Sequence, residues 1–447
     1  MINFDKYLED LKSLIACKSV ISKPSEKAPF GSEIRKALDL VLDLAKEFGF
    51  ETKNYDGYGG EIILASNKKC ETSSASNCDK LCDNNEINEV GIVGHLDVVP
   101  VGIGWDTDPF TLTEKDGILY GRGVSDDKTP ILSCLYILKE LKNSGKPINK
   151  TFRLILGCDE ETGWRDIAYM KEKTTFPEFG FSPDGNFPLT YAEKGIVEVK
   201  CTLPPLKNFN SLKGGTVVNA VCAYASVVPN TPLDNDQIKE LEKFGLKYND
   251  GKIESFGKAA HGSTPHLGKN AIKPLLEYLI DRGEDLQRGI DCLFNDHYSV
   301  QQLTTAQGNL TLSPDLIDQD DQGVYITCDC RIPAPLSLDD VNPYFEKFDL
   351  AVKTKVRHNP AMVSKDGPFV QTLLNAYNTI TGENAQPKSS GGVTFSRVFK
   401  RGCAFGPKFP NHNDQIHDAN ENLPIKNLLT AYEIYKKAIF DLNEIKL

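Results

Sequence analysis

The sequence has no long apolar run, no excess of positive charge and no export signal. No apolar stretch approaches the roughly 18 residues that a transmembrane helix needs, so no membrane span is expected. The first residues, MINFDKYLEDLK, lack the basic segment and apolar stretch of a signal peptide. The net charge of -11 disfavours a nucleic-acid-binding surface, because binding to phosphates requires clustered Lys and Arg. We therefore expect a cytoplasmic protein with neither a nucleic-acid nor a membrane partner.

Twelve cysteines are spread over the 447 residues, and without an export signal they are better interpreted as reduced thiols than as disulfides. The exception to this scatter is the polar stretch NKKCETSSASNCDKLCDNNEIN, which contains Cys70, Cys78 and Cys82. The spacing of these three residues matches no common zinc-ligand pattern. A surface loop is therefore favoured over a metal site for this stretch.

Short apolar runs alternate with helical patterns in the first part of the chain. Apolar residues recur at helical spacing over 4–15, 34–45 and 130–141. Runs typical of buried strands occur at 61–65, 90–93 and 152–156. This alternation predicts an α/β domain with a mixed, mostly parallel sheet and helices on both faces.

The pattern changes after about residue 192. Strand-like runs occur at 195–202 and 324–332, and a helix is predicted over 271–282. From residue 367 onwards the helix and strand alternation returns. Because 447 residues exceed one ordinary domain, we predict two domains. The first comprises residues 1–190 and 365–447, and the second is an α+β domain of residues 191–364 inserted into the first.

Polar residues follow several of the short apolar runs, at points where strands are predicted to end. They are His95, Asp97, Asp126, Glu160, Glu161 and Asp184, with His417 as a further candidate near the carboxyl terminus. Ligand sites in α/β sheets form at the carboxyl ends of strands, so we expect these side chains to converge. Carboxylates that share a small desolvated space repel one another unless cations neutralise them. Imidazole together with carboxylate suits zinc, and also manganese or cobalt.

These candidates suffice to hold two metal ions. We predict that one ion is held by His95, Asp126 and Glu161. The second would be held by His417, Asp126 and Asp184, with Asp126 as the bridge, because ions about 3.5–4 Å apart share a ligand. Each segment alone has a plainer interpretation, and the Asp126 segment could simply cap the helix that follows it.

Six strings occur in a fixed order between about residues 90 and 425: GHLDVVP, GRGVSDDK, GCDEETG, FSPDG, AAHGSTP and IHDANE. Together they resemble the dinuclear metallopeptidase family that includes carboxypeptidase G, aminoacylase and peptidase V. The SPDG string, the AEKG that follows it and the long middle section are most similar to peptidase V-type dipeptidases. The resemblance implies a zinc-dependent hydrolase of dipeptides, in which a metal-bridging hydroxide attacks the peptide bond and Glu160 is the general base. It also implies that Asp97 orients the imidazole of His95.

The resemblance assigns further roles to the inserted domain, which it makes a lid over the catalytic domain. His261 would donate a hydrogen bond to the developing oxyanion. Asn219, Arg331, Gly391 and Gly392 would contact the substrate. Arg331 suits a terminal carboxylate, because a guanidinium can bind one through two hydrogen bonds.

The motifs are compatible with more than one activity. The same family includes aminoacylases, carboxypeptidases and N-acyl amino acid deacylases, which perform similar chemistry on other small amides. A metal-binding protein without catalysis is the alternative from another class. The lid is longer than the layer through which dimeric relatives pair, so a monomer is expected.

Overall fold

The computed structural model describes residues 3–67 and 88–445. Cys70, Cys78 and Cys82 lie outside these residues, so the loop interpretation of their segment stays a prediction. The chain divides into two compact units. The first unit comprises Met1–Tyr191, Val363–Lys388 and Thr394–Leu447, and the second comprises Ala192–Met362 and Ser389–Val393.

The α-helices of the described chain are α1 (Phe4–Ile15), α2 (Ser32–Glu47), α3 (Lys128–Lys142), α4 (Arg165–Lys173), α5 (Asn235–Glu240), α6 (Ile272–Asp281), α7 (Gln287–Leu293), α8 (Leu338–Glu346), α9 (Pro368–Thr381) and α10 (Ile425–Glu444). Short 3-10 helices lie at Leu241–Phe244, Pro265–Leu267, Val300–Gln302 and Phe395–Val398. Across residues 3–67 and 88–445, each helix is too short or too polar to cross a membrane.

The strands up to the start of the second unit are β1 (Glu51–Tyr55), β2 (Gly59–Leu64), β3 (Glu89–His95), β4 (Thr113–Lys115), β5 (Ile118–Tyr120), β6 (Thr151–Gly157), β7 (Phe179–Ser182), β8 (Gly185–Asn186) and β9 (Thr190–Glu193). Those that follow are β10 (Gly195–Leu203), β11 (Phe209–Gly214), β12 (Tyr224–Pro229), β13 (Lys247–Asn249), β14 (Lys252–Phe256), β15 (Thr304–Thr305), β16 (Gly308–Asn309), β17 (Thr311–Asp320), β18 (Gly323–Ile332), β19 (Ala351–His358), β20 (Ala361–Met362), β21 (Lys388–Ser390), β22 (Arg401–Ala404), β23 (Pro407–Lys408) and β24 (Asn422–Pro424).

The first unit is built on a mixed sheet with a parallel centre. Its strands run in the order β1-β2-β6-β3-β7-β22-β9. The four strands β6, β3, β7 and β22 are parallel, whereas β1 and β2 at one side are antiparallel. This arrangement confirms the predicted α/β class. The predicted strands at 61–65, 90–93 and 152–156 correspond to β2, β3 and β6, and the predicted helix at 130–141 corresponds to α3.

Side chains alternate between the two faces of this sheet, and helices cover both faces. Ile92 belongs to the large core formed with α1, α2, α3, α9 and α10. The next residue, Val93, belongs to a smaller cluster with Ile167 and Met170 of α4. This alternation follows from the two-residue repeat of a strand. It explains why β3 has no polar residue between Val90 and Gly94.

The second unit has its own sheet and its own core. Eight antiparallel strands run in the order β13-β14-β12-β11-β17-β18-β10-β19. Apolar residues of α6, α7 and α8 share one core cluster with this sheet. The strands predicted at 195–202 and 324–332 are β10 and β18, and the helix predicted at 271–282 is α6.

A buried carboxylate holds the loop that leads into α3. Glu421 accepts hydrogen bonds from the backbone amides of Gly123 (2.9 Å), Ser125 (2.8 Å) and Asp126 (3.1 Å). It also pairs with Arg122 at 2.9 Å, and both side chains are only 1% exposed. Sequence reasoning assigned no role to Glu421 or Arg122. Together they fix the backbone of the segment that carries Asp126, a candidate metal ligand.

Glu421→Ala should destabilise the first unit by about 3–5 kcal/mol, because it leaves the Arg122 guanidinium buried without its carboxylate partner. Urea denaturation with a chelator present measures this change without any contribution from metal binding. Asp43→Ala is the control, since it breaks the exposed Lys46–Asp43 pair of the same unit and should change the midpoint little. Equal midpoint shifts in the two variants would contradict a structural role for Glu421.

Candidate metal centre

The candidate ligands of the first unit come together because of the parallel strands. His95 is the last residue of β3. Glu161 follows the end of β6, and Asp184 follows the end of β7. Asp126 precedes α3, and His417 lies in the loop between β23 and β24. Carboxyl ends of neighbouring parallel strands meet at one edge of a sheet, which places these side chains at a single position.

We call His95, Asp126, Glu161, Asp184 and His417 the ligand cluster. One potential ligand atom from each of His95, Asp126 and Asp184 lies within 4.8 Å of the other two, and the same holds for Asp126, Glu161 and His417. His95 Nε2 lies 2.9 Å from Asp126 Oδ1, and His417 Nε2 lies 3.3 Å from Asp126 Oδ2. The two oxygens of Asp126 therefore face different imidazoles, as a bridging carboxylate requires.

The structure corrects the predicted division of ligands between the two groups. Glu161 was predicted to share an ion with His95, and Asp184 was predicted to share one with His417. Instead, Asp184 Oδ2 lies 3.8 Å from His95 Nε2, and Glu161 Oε2 lies 3.2 Å from His417 Nε2. In the sheet β3 lies between β6 and β7, so strand adjacency alone does not decide which acid faces His95.

Asp97 acts mainly on the backbone of the neighbouring segment. Its two carboxylate oxygens accept the amides of Glu160 (3.2 Å) and Glu161 (3.1 Å). The predicted contact between its carboxylate and the His95 ring is longer, at 3.5 Å. His95 Nδ1 instead lies 2.9 Å from the backbone oxygen of Asp97. Because a carbonyl only accepts, the neutral ring carries its proton on Nδ1 and directs the Nε2 lone pair towards Asp126.

The residue after Asp126 has a different role from the helix cap considered above. Asp127 accepts the backbone amide of His95 at 3.2 Å, and its side chain is buried. Burial raises the pKa of Asp127 well above its usual value, and the charge of Asp184 acts in the same direction. Asp127 thus connects the start of α3 to the end of β3.

The electrostatics of the cluster favour added positive charge. Burial raises the pKa of Asp184 to about 7, and the charge of Asp126 contributes further. Burial also opposes ionisation of Asp126, but hydrogen bonds from His417 and His95 hold its pKa well below the usual range. Hydrogen bonds to Asp126 and Glu161 in turn raise the pKa of His417 to about 10. Carboxylates at this position therefore require cationic partners, which imidazolium groups or metal ions can supply.

Glu160 has the surroundings of a proton acceptor. Burial raises the pKa of its carboxyl well above the usual value, and the charges of Asp184 and Glu161 add to this effect despite the opposing charge of His95. The Asp97 contact fixes its backbone, and its carbonyl accepts the Trp164 indole N–H at 3.1 Å. A raised pKa makes a carboxylate a better proton acceptor, which is the property that a general base needs.

The structure places the other predicted residues in the second unit, where hydrogen bonds hold them in separate local groups. The amide of Gly262, next to His261, donates to the Asn219 carbonyl at 2.7 Å. Arg331 Nη1 donates to the carbonyl of Gly391 at 2.8 Å. Gly392 follows Gly391 and donates its amide to the Ser390 hydroxyl at 2.9 Å.

Arg331 is held by a carboxylate that sequence reasoning missed. Its Nε and Nη2 contact Asp329 Oδ2 at 2.9 and 2.8 Å, and both side chains are buried. With Nη1 bound to Gly391, three of the five guanidinium N–H groups are engaged, which leaves one on each terminal nitrogen for a carboxylate. The spacing of Asp329 and Arg331 was a usable signal, because residues two apart on a strand share a face.

Comparisons with known proteins agree with this geometry. The profile of peptidase family M20/M25/M40 matches residues 91–441. The protein named "Putative dipeptidase YtjP" of Bacillus subtilis (strain 168) is 30% identical over 469 residues, covering 97% of this chain and 96% of the relative. This agreement confirms the resemblance found in the motifs.

Solved structures show the same fold. The di-peptidase Dug1p from Saccharomyces cerevisiae superposes with a TM-score of 0.57 at 16% identity, covering 99% of this chain and 96% of that one. Aminopeptidase PepT from Bacillus cereus ATCC 10987 has a TM-score of 0.60 at 14% identity, with 98% of each chain covered. The family match spans most of the chain, and the ligand cluster lies within it. The chain therefore belongs to peptidase family M20/M25/M40 and is a metallopeptidase.

Proposed function

We propose that the protein is a dipeptidase that hydrolyses the peptide bond of dipeptides with two divalent ions at the ligand cluster. The observation that carries this proposal is the position of Asp126, whose two oxygens face His95 and His417 separately. Relatives named as dipeptidases support the substrate class.

The donor set fits zinc. Each of the two groups combines one imidazole with two carboxylates, and Asp126 belongs to both. Nitrogen and carboxylate oxygen are ligands that zinc accepts, and manganese or cobalt would accept them too. Three carboxylates in the cluster, two of which have a raised pKa, would be stabilised in their charged forms by two divalent ions.

Different residues of the first unit would have different roles in the reaction. Two bound divalent ions would polarise the scissile carbonyl and lower the pKa of the attacking water. Glu160 would take the proton of that water and deliver it to the departing amine. Asp97 would hold the backbone of the two adjacent glutamates in place, because its carboxylate accepts the amides of both Glu160 and Glu161.

The second unit would supply the contacts to the substrate. His261 would donate to the oxygen that gains charge, and Arg331 would bind the terminal carboxylate. Asn219, Gly391 and Gly392 would contact the remainder of the substrate. The role of this unit as a lid stays a prediction.

Aminoacylase, carboxypeptidase and N-acyl amino acid deacylase activities are the close alternatives. A panel of dipeptides, tripeptides and acyl-amino acids separates them, because a dipeptidase requires a free amino terminus and rejects acylated substrates. A metal-binding protein without catalysis is disfavoured by Glu160, since a binding site has no need of a general base beside a ligand.

A monomer in the cytoplasm is part of this proposal. The edge strand β19 of the second unit presents Lys353, Lys355 and Arg357, all exposed. Antiparallel pairing of two such edges would bring like charges close together, which opposes dimerisation through this strand. The nine described cysteines are buried free thiols, which suits a reducing compartment.

Purified protein should bind two divalent ions per chain. Each variant should lose the ion of every ligand group to which the substituted residue belongs. Asp184→Ala and Glu161→Ala should each lose one ion, whereas Asp126→Ala should lose both because it belongs to both groups. Elemental analysis with calorimetric titration of zinc measures this. Two ions retained by Asp126→Ala would contradict a bridging role, and one ion in active wild-type protein would contradict the dinuclear centre.

Two adjacent glutamates provide a matched comparison for the general base. Glu160→Gln should keep both ions and lose activity by about 10²–10⁴-fold, the range typical of general acid–base catalysis. Glu161→Gln should lose metal affinity as well as activity, because its carboxylate faces His417 within the cluster. Dipeptide turnover with metal content on the same samples distinguishes the two. Normal turnover by Glu160→Gln would show that another group is the base.

Substitutions in the second unit should separate kcat from KM. His261→Ala should lower kcat by about 10²–10³-fold with unchanged metal content, as loss of one oxyanion donor does. Arg331→Lys should mainly raise KM, and more for dipeptides with a free carboxyl terminus than for their amides. Lysine is chosen because removing the charge would leave Asp329 buried without a partner. An unchanged kcat in His261→Ala would contradict the proposed oxyanion contact of His261. It would not affect the proposal of a dinuclear metal centre.

A further inference from the structure

Two groups of one residue converge on a ring nitrogen of His261. The backbone amide of Ser263 donates to His261 Nδ1 at 3.2 Å. The Ser263 hydroxyl oxygen lies 2.6 Å from the same nitrogen. A backbone N–H can only donate, so Nδ1 must offer its lone pair. In the neutral imidazole the proton is then on Nε2, and the Ser263 hydroxyl serves as a second donor to Nδ1.

The turn that carries this pair is fixed on several sides within the second unit. The Thr264 amide donates to the His261 carbonyl at 2.9 Å and closes the turn. Gly391 packs against Ser263, because a Cβ on this glycine would come within 2.8 Å of the Ser263 Cβ. The backbone of Gly391 therefore lies directly against the Ser263 side chain.

We propose that Ser263 is a positioning residue that fixes the tautomer of His261, so that Nε2–H is the group presented to the substrate. This inference rests on the proposed function, in which His261 donates to the oxygen that gains negative charge. The opposite tautomer would present a lone pair at Nε2 and repel that oxygen. Ser263 acts through His261 and does not itself touch the reacting atoms.

The tautomer can be observed without any enzymatic assay. The chain contains seven histidines, so protein labelled with 15N in histidine gives a small set of ring signals, and His261→Ala identifies the one of interest. Two-bond 1H–15N correlation spectra should show His261 as the Nε2–H tautomer in the wild type. In Ser263→Ala the Nδ1–H form should become populated, because one of the two donors to Nδ1 is lost. A wild-type ring with its proton on Nδ1 would overturn the proposal.

Kinetics provide the second arm. Ser263→Ala should lower kcat on a dipeptide by about three- to tenfold with little change in KM, the size expected for one neutral hydrogen bond. In a His261→Ala background the same substitution should have no further effect, because its influence passes through the imidazole. An equal loss in both backgrounds would show that Ser263 acts structurally and would overturn the proposal.

Thr264→Ala is the matched control. It removes a hydroxyl from the same turn, but that hydroxyl contacts the His261 carbonyl at 3.4 Å and not the ring. It should leave both the tautomer and kcat unchanged, and a shift equal to that of Ser263→Ala would overturn the specific role of Ser263. Failure of the wild type to hydrolyse dipeptides would refute the proposed function, whereas the spectra would still decide the tautomer.

Discussion

Mutual repulsion among the carboxylates of Asp126, Glu161 and Asp184 is the constraint on which the structure of the site depends. Their side chains share one desolvated position at the carboxyl edge of the parallel strands, where each ionised group raises the cost of ionising the next. His95 and His417 offset part of this cost, and each does so at a different oxygen of Asp126. Such an arrangement is stable only with cations, so the same feature that strains the protein prepares it to bind metal.

Backbone groups set the orientation of the side chains that would do the chemistry. At His95 a carbonyl faces Nδ1, which leaves the Nε2 lone pair for a cation. At His261 an amide faces Nδ1, which leaves a proton on Nε2 for donation. The two neutral rings thus have opposite tautomers. Buried carboxylates complete this scheme, since Asp97 and Glu421 each bind several backbone amides of neighbouring segments.

The fold class and the cluster follow from local sequence patterns, whereas the pairing within the cluster does not. Short apolar runs such as 90–93 are readable because β3 is buried on both faces, and the polar residue after each run marks the strand end. Which acid faces His95 depends on the side-chain directions at the ends of β6 and β7, which periodicity does not encode. Glu421 escaped notice because most of its partners are backbone amides, and an amide is present at almost every position of any sequence.

The short segment Ser389–Val393 has a consequence for engineering the second unit. These residues belong to that unit although the rest of its chain ends at Met362. They bring the carbonyl that holds the Arg331 guanidinium and the backbone that packs against Ser263. A contiguous cassette of residues 192–362, transplanted into a related peptidase or expressed alone, would carry His261 and Arg331 without their supports. Moving the complete second unit into another chain therefore requires at least two crossover segments.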